Sequence, residues 1–456
     1  MLVHLMSSFD STPSDLAARA RTGSAAPPMV PMVHAEDLSL TRRVCAFGLI
    51  LLGYVFYSYA WNTVDILRPY IRQASGLSLQ EAGLLYSAQS LGALVGAPVI
   101  GQLADRYGRR LLLTIITLGY ALSLLGGLAA HGLWPLLAQR VVLGLFVGGV
   151  FSVVVGLYMG LFDQRLRGRL ASLVGAMFSA GIVLQGWLGT YLLERDWTLM
   201  LWAGGLPPLL IAALSWWVIP DDRRVIPHGA KPAPADGPVA AAAHASPVTS
   251  VPAAAKAHKL PIAELFKPAV RRVTLLLTLM SGLNFFANQA FVGWVTTYLK
   301  DERGLAGPGI GALVAWQGVG GILGGFVWGW IADRYGRRMG SIGFFLGGAM
   351  IVAYLRAPSD LTLLTVLGFA FGFIIASGVV WGPFFAELYP PHLRSTAASI
   401  IHWGRIIGFF APAVTAAVAS AVGLTTSMML AALLYCAAGG IWLLLPETLV
   451  RKALKV

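Results

Sequence analysis

Long apolar stretches separated by short polar loops account for most of this chain. A helix that crosses a bilayer needs about 20 largely apolar residues, and twelve stretches reach roughly that length. The pattern predicts spans at 44–68, 82–101, 111–131, 133–161, 171–193, 197–219, 272–299, 308–331, 339–356, 361–386, 395–421 and 424–445. Because lipid offers no hydrogen bonds to an exposed backbone, each span is expected to be an α-helix, and the predicted fold class is an all-α membrane protein.

Composition and charge support this interpretation. Only 12% of the residues are charged, against roughly 25% in soluble domains, so the chain has too few charges for a water-soluble surface. The net charge of +13 comes largely from arginines in alternate loops, and the positive-inside rule places those loops and both termini in the cytoplasm. The charge therefore orients the protein in a lipid bilayer, and it does not indicate a nucleic-acid partner. Abundant alanine, and arginine in place of lysine, are typical of a GC-rich bacterial genome and indicate a bacterial inner membrane.

The chain contains an internal repeat. The stretch Leu-Ala-Asp-Arg-Tyr-Gly-Arg-Arg at 103–110 recurs at 331–338 with one change. The same offset aligns Gln89 with Gln317 and Gly101 with Gly329. Duplicated halves occur in transporters whose substrate site lies between the halves near the membrane midplane. The predicted organisation is a disordered cytoplasmic tail at 1–43, a six-helix bundle at 44–220, a flexible Pro- and Ala-rich linker at 221–270, a second bundle at 271–448 and a cytoplasmic tail at 449–456.

Motifs of enzymes and cofactor-binding proteins do not occur in the sequence. The chain has no GxxxxGK[ST] loop for a nucleotide, so ATP is not expected to drive it. A nucleophile with its base and a metal-ligand cluster are also missing from the sequence pattern. The expectation is a protein without enzymatic activity, cofactor or catalytic metal.

The repeated stretches carry a resemblance to a family. Gly101 to Arg110, between spans two and three, resembles the signature of the major facilitator superfamily, and Gly329 to Arg338 is its partial copy. The stretch Arg140 to Gly149 in span four is similar to the second motif of that superfamily. The resemblance covers about residues 44–448 and implies two pseudo-symmetric six-helix bundles that rock around a central cavity, in a protein that works as a monomer.

Within this resemblance, the two repeated loops are expected to be conformational latches that hold one face of the transporter shut. Their glycines allow a close helix approach and a tight turn, and their aspartates offer a charge to a helix N-terminus or to an arginine across the interface. Alternatively, the arginines serve only to orient the chain. The predicted latch residues are Gly101, Asp105, Gly108, Arg109, Gly329, Asp333, Gly336, Arg337, Glu387 and Arg394.

Residues for proton coupling are sought among ionisable groups inside the membrane. Counting about 1.5 Å per residue from the cytoplasmic helix ends places Asp65 and Arg140 at the same depth, in the outer part of the membrane. An opposite charge there and desolvation act on the acid in opposite directions, so the pair can load and release a proton. Alternatively, Asp65 caps the outer end of the first helix, with Arg68 one turn on. His402 is a second candidate proton group, or else a packed histidine.

Polar and aromatic groups near the midplane are candidates for substrate binding. Arg405 is a cation expected about 16 Å deep, where it either contacts the substrate or pairs with helix carbonyls. Gln89 and Gln317 lie at matching depths in the two halves and are expected to face the shared cavity or the interface between the halves. Aromatic stripes are usually packing, which is the alternative for the remaining candidates. The full predicted set is Tyr54, Tyr57, Trp61, Gln89, Asn284, Asn288, Gln317 and Arg405.

An excess of cations over acids, together with aromatic surface, favours a small organic anion as the substrate. An arginine would bind its carboxylate, and aromatic rings would flank its apolar body. Within the superfamily the chain is most similar to metabolite, organic-acid and aromatic-acid proton symporters. It departs from aromatic-acid symporters in span one, where Tyr57-Ser58-Tyr59-Ala60 stands in place of their Asp-Gly-x-Asp. The alternatives are a sugar or other metabolite porter, suggested by Pro446-Glu447-Thr448, a drug–proton antiporter, and a receptor with this fold.

Overall fold

The computed structural model describes residues 32–163, 166–226, 264–390, 393 and 400–449. This part of the chain contains twelve helices long and apolar enough to cross a membrane, as the sequence predicts. Eight are continuous: α1 Leu40–Ser75, α2 Leu79–Tyr107, α3 Arg109–Gly126, α5 Arg167–Leu192, α6 Leu199–Val218, α8 Gly307–Tyr335, α9 Gly340–Arg356 and α12 Leu424–Leu444. The others are α4 (Leu133–Gly148 and Val150–Leu161), α7 (Pro268–Thr297, then a π-helical turn Tyr298–Glu302), α10 (Leu361–Ile375 and Trp381–Glu387, joined by a 3₁₀ turn) and α11 (Ile400–Phe409 and Ala411–Val422).

Helix α1 is longer than the sequence pattern predicts. The Ser39 side chain accepts a hydrogen bond from the backbone N–H of Arg42 and caps the start of α1. The helix ends at Ser75 and is followed by Gly76, whose φ of 62° is favourable for glycine. The expected end near residue 68 is wrong because α1 continues through Pro69. A proline lacks the N–H that would bond the carbonyl four residues earlier, here that of Asp65. The hydroxyl of Thr296 on α7 donates to that carbonyl instead.

Glycines set the closest helix contacts within each half, and the two halves do this alike. A Cβ on Gly92 or Gly96 of α2 would lie 2.1 or 2.0 Å from a carbonyl oxygen of α4. In the second half, a Cβ on Gly320 or Gly324 of α8 would lie 2.1 or 2.2 Å from a carbonyl oxygen of α10. These positions accept only glycine without a shift of the helices, and the repeated packing explains the repeated glycines.

Gly101 and Gly329 behave differently from that pattern. A Cβ at either position meets no atom within 4 Å, so neither glycine makes the expected close helix approach in this conformation. Each lies at the end of its helix beyond the region of glycine-mediated packing. Gly108 and Gly336 do supply the expected turns, with φ of 95° and 118°.

The two halves meet along three helix pairs: α1 with α7, α2 with α11, and α5 with α8. A Cβ on Gly186 of α5 would lie 2.3 Å from the backbone nitrogen of Ala315 on α8, so this pair touches backbone to backbone. We call the end of the bundle with the Asp105 and Asp333 loops the motif end. The other end, where α1 finishes and α4 begins, is the opposite end.

Short ordered segments extend the first half beyond its predicted bounds. Strand β1, Val33–His34, pairs in parallel with β2, Val225–Ile226. Residues predicted to belong to the flexible tail and linker are thus ordered next to the bundle. Residues 1–31 and 227–263, which include most of the predicted tail and linker, lie outside the described part of the chain.

Candidate transport site

A cavity of about 150 Å³ lies between the two halves. Helices α1, α2 and α5 of the first half and α7 and α11 of the second half supply its walls. Aromatic rings and amide side chains predominate around one arginine. The lining residues are Tyr57, Trp61, Asn62, Tyr86, Phe178, Phe285, Asn288, Gln289, Arg405, Gly408 and Phe409.

Arg405 is the cation of this cavity. Its guanidinium carbon lies 5.2 Å from the centroid of the Phe285 ring, within the range of a cation–π interaction. It is half-buried, and no carboxylate forms an ion pair with it in the described ranges. A positive charge lined by rings and free of a protein counter-ion is suited to bind a carboxylate from a ligand.

The structure brings four of the predicted substrate residues together at the cavity: Tyr57, Trp61, Asn288 and Arg405. Tyr54 lies just beside it, with its ring centroid 4.9 Å from that of Tyr57, but does not form part of the wall.

The other predicted substrate residues lie away from the cavity. Gln89 is fully buried inside the first half and donates to the carbonyl of Trp61 at 2.8 Å, so the prediction that it faces the cavity is wrong. Close contact of Gly144 on α4 with the Gln89 carbonyl holds this part of α2 against α4. Its counterpart Gln317 packs in the same way against Gly372 and is also absent from the wall, as is Asn284.

Six polar or aromatic lining residues are not in the predicted substrate set: Asn62, Tyr86, Phe178, Phe285, Gln289 and Phe409. Asn62 follows Trp61 and donates to the carbonyl of Ser58 one turn earlier. Tyr86 packs edge-on against Trp61, with ring centroids 6.5 Å apart. A helical-wheel comparison of α1 and α2 had the necessary signal for Asn62 and Tyr86, because each lies one turn from a polar or aromatic candidate.

Asp65 belongs to a buried polar cluster next to the cavity. Arg68 donates to its carboxylate at 2.9 Å, and both side chains are almost fully buried. Arg140 on α4 and Gln289 on α7 also interact with this carboxylate. Because α1 continues for almost three turns beyond it, Asp65 does not cap the end of the helix, and that alternative is wrong. We call Asp65, Arg68 and Arg140 the buried charge cluster.

At the opposite end, polar contacts cross from one half to the other. Arg72 on α1 pairs with Asp301 on the π-helical turn at 2.5 Å, and the Lys300 ammonium lies 3.5 Å from the centroid of Tyr70. Deeper in, the Arg68 guanidinium covers the Trp294 ring of α7 at 4.5 Å. These contacts hold the two halves together at this end.

At the motif end, the repeated loops interact within their own halves. Asp105 pairs with Arg109 at 3.3 Å, and Asp333 pairs with Arg337 at 2.6 Å. Arg337 also pairs with Glu387 at 3.0 Å. Both aspartates are largely exposed, with side-chain exposures of 74% and 72%. In this conformation the aspartates contact residues of their own half. A contact with an arginine across the interface was one of the predictions, and it is not formed in the described part of the chain.

The backbone turns of both loops are held by a second acid that the sequence reasoning did not assign. Asp222 accepts from the backbone N–H groups of Arg109 and Arg110, and Glu447 accepts from those of Arg337 and Arg338, all at 2.8–3.0 Å. Burial alone raises the pKa of the Glu447 carboxyl, but these and neighbouring backbone N–H groups outweigh it and hold the pKa below its usual range. The sequence signal for these two acids is that Pro220-Asp221-Asp222 of the first half aligns with Pro446-Glu447 of the second half.

Two predicted residues cannot be placed in the site. Arg394 lies outside the described residues. The backbone of His402 belongs to α11, but its side chain is likewise outside the described part.

Comparison with known proteins settles the family. The model of the Major Facilitator Superfamily matches residues 50–309 and 277–455. This chain belongs to the major facilitator superfamily. The assignment fits the twelve helices and makes the protein a multi-pass membrane transporter and not an enzyme.

Individual relatives and structures agree with this. The chain is 29% identical to a gallate transporter of Pseudomonas putida, over 86% of this chain and 90% of that protein. It is 26% identical to a 4-hydroxybenzoate transporter of Pseudomonas aeruginosa, over 76% and 80%. In fold it is similar to a bacterial homologue of the lysosomal transporter Spinster in an inward-facing conformation, with a TM-score of 0.69 at 16% identity over 89% of this chain and 97% of that one.

Proposed function

We propose that this protein is a proton symporter that carries a small aromatic or other organic carboxylate into a bacterial cell by alternating access. Arg405 in the cavity between the halves supports this proposal most strongly, because it offers a guanidinium with no described carboxylate partner. The family assignment establishes transport, and the names of the gallate and 4-hydroxybenzoate transporters agree with an aromatic acid as substrate.

The size and lining of the cavity favour a substrate with a single ring. A cavity of about 150 Å³ is known to hold one benzene molecule. Tyr57, Trp61 and Phe285 offer faces and edges to a ring, while Asn62 and Asn288 offer hydrogen bonds to ring substituents. A neutral sugar would leave the Arg405 charge without a partner.

The buried charge cluster supports proton coupling. Asp65 is an acid inside the membrane region, and its neighbour Gln289 also lines the cavity. A change in the protonation of Asp65 therefore alters the contacts of a residue at the substrate site. The charge of Arg140 interacts with this carboxylate, which agrees with the equal depth counted for the two residues. We therefore assign Asp65 as the proton carrier and Arg140 as the residue that opposes its protonation.

The loop contacts at the motif end and the cross-half contacts at the opposite end support alternating access. We assign the motif end to the cytoplasm from the positions of the arginines. The cross-half contacts then close the outer side, and the Asp105 and Asp333 loops exchange their partners when the inner side closes.

The direct test measures uptake by the purified protein in proteoliposomes with an alkaline interior. Accumulation of labelled 4-hydroxybenzoate is expected, and D-xylose is not expected to accumulate. Arg405→Gln should raise KM about tenfold or more, because a charge-assisted hydrogen bond contributes about 1.5–3 kcal/mol. Arg405→Lys should be intermediate, since it keeps the charge but loses the bidentate geometry.

The control variant is Arg356→Gln, which removes an exposed arginine from the same half and should leave KM unchanged. Accumulation of the sugar without the carboxylate, or an unchanged KM in Arg405→Gln, would contradict the proposal.

A further inference from the structure

The buried charge cluster contains more positive than negative charge. Arg68 and Arg140 are 0% and 2% exposed, and Asp65 is the one carboxylate that interacts with them in the described part of the chain. Nε and Nη1 of both arginines have no hydrogen-bond partner among the described residues. Among the residues that the structure describes, four buried donor nitrogens therefore lack a hydrogen bond, and one unit of positive charge lacks a carboxylate.

Such an arrangement is costly if it serves structure alone. A buried guanidinium contributes to stability when its donors are satisfied, and an unpaired one carries a large desolvation penalty, more so within a membrane. The two arginines also repel each other. An anion at this position would neutralise the excess charge and satisfy donors of both side chains.

The cluster lies close to the opposite end of the bundle. Arg68 is about two turns before the end of α1 at Ser75, and Arg140 about two turns after the start of α4 at Leu133, so both lie roughly 10 Å inside. Trp294 of the other half covers the Arg68 guanidinium. If the halves separate at this end, as the proposed alternating access requires, that ring would move away and the guanidinium would become accessible from outside.

The cluster is also continuous with the cavity. Gln289 and Tyr86 line the cavity, and both interact with the Asp65 carboxylate. An anion held by Arg68 and Arg140 is thus one side-chain layer away from the site of Arg405.

We propose that Arg68 and Arg140 form a second anion site, which binds the substrate carboxylate when the opposite end is open, before the substrate reaches Arg405. The inference rests on the proposed function, since it takes the transported substrate to be an organic carboxylate. A proton on Asp65 releases Arg68 from its ion pair, so proton binding and anion binding at this site strengthen each other. The two therefore enter together, which is the requirement for symport.

The test compares the two sides of the membrane. Right-side-out vesicles present the opposite end to the medium, and inside-out vesicles present the motif end. With 4-hydroxybenzoate as the probe, Arg68→Gln and Arg140→Gln should each raise KM at least tenfold in right-side-out vesicles and less than twofold in inside-out vesicles. Arg68→Lys, which keeps the charge, should show a smaller rise and tests the site if Arg68→Gln does not fold.

The matched control is Arg195→Gln, which removes an exposed arginine from the same end and should change neither KM. Chloride is added as a competitor to distinguish a halide site from a carboxylate site. Equal changes of KM on both sides would overturn the second site and leave the proposed function standing. A KM unchanged in Arg68→Gln and Arg140→Gln, with chloride inhibiting the wild type and neither variant, would likewise overturn the second site and would indicate a halide site. Absence of carboxylate uptake by the wild type would instead overturn the proposed function.

Discussion

The two ends of this transporter use their charged residues differently. At the opposite end, Arg72 and Arg68 of the first half contact Asp301 and Trp294 of the second half. At the motif end, Asp105 and Asp333 pair with arginines of their own loops. The same kinds of residue thus join the halves at one end and stabilise each half separately at the other.

In the proposed alternating-access cycle, this difference lets the transporter close one side without locking it. The Arg72–Asp301 pair is partly exposed, and such pairs contribute only about 0–1 kcal/mol, so it is easily broken. The largely exposed aspartates of the motif end have capacity for further hydrogen bonds, which they can form when the halves meet there. We infer that closing either end releases contacts at the other.

Among variants that test this difference between the two ends, substitutions in the motif loop of the first half should have the largest effect on transport. Asp105→Asn and Arg109→Ala should each slow transport about tenfold or more, because the closed motif end loses a charge-assisted hydrogen bond of about 1.5–3 kcal/mol. Equilibrium binding of substrate should remain. The measurement is the rate of substrate exchange in proteoliposomes beside binding to the purified protein. Asp333→Asn should act in the same direction but more weakly, since Arg337 retains Glu387. Loss of binding at a normal exchange rate would contradict the latch assignment.

A smaller effect is expected at the opposite end. Asp301→Arg should shift the protein toward opening there by a few fold, and the double variant Arg72→Asp with Asp301→Arg should restore the closed state because the ion pair is rebuilt. The reaction rate of a cysteine introduced at Thr296, measured with a water-soluble thiol reagent in a background without Cys45 and Cys436, reports the opening. If the double variant reacts as fast as the single one, the pair does not hold this end.

The smallest effect is expected at Gly101. A Cβ there meets no neighbour, so Gly101→Ala should leave thermal stability and transport close to those of the wild type. The matched variant Gly92→Ala places its Cβ 2.1 Å from the Val141 carbonyl oxygen and should destabilise the protein by about 1–3 kcal/mol. Thermal unfolding of both purified variants makes the comparison. Equal melting temperatures would show that α2 and α4 can separate without cost.

The sequence predicts the spans and the equal depth of Asp65 and Arg140 because both follow from regular geometry along single helices. It does not predict Arg68 as the partner of Asp65, since Pro69 reads as a helix end. That proline is accommodated by a hydroxyl from another helix, Thr296, which no local pattern reveals.

Side-chain direction limits the prediction of the cavity in a similar way. Tyr57 and Trp61 follow from one stripe of α1, whereas Gln89 turns inward because its helix packs against Gly144 of α4. Which face of a helix meets the other half depends on such contacts between helices.

In the proposed cycle, a proton on Asp65 drives the accumulation of an anion. The most direct measurement compares accumulation and exchange of 4-hydroxybenzoate by Asp65→Asn in proteoliposomes, because asparagine imitates the protonated acid permanently. We expect the variant to bind substrate and exchange it across the membrane but not to concentrate it under a pH gradient. Accumulation of substrate by Asp65→Asn to the level of the wild type would show that Asp65 does not carry the coupled proton.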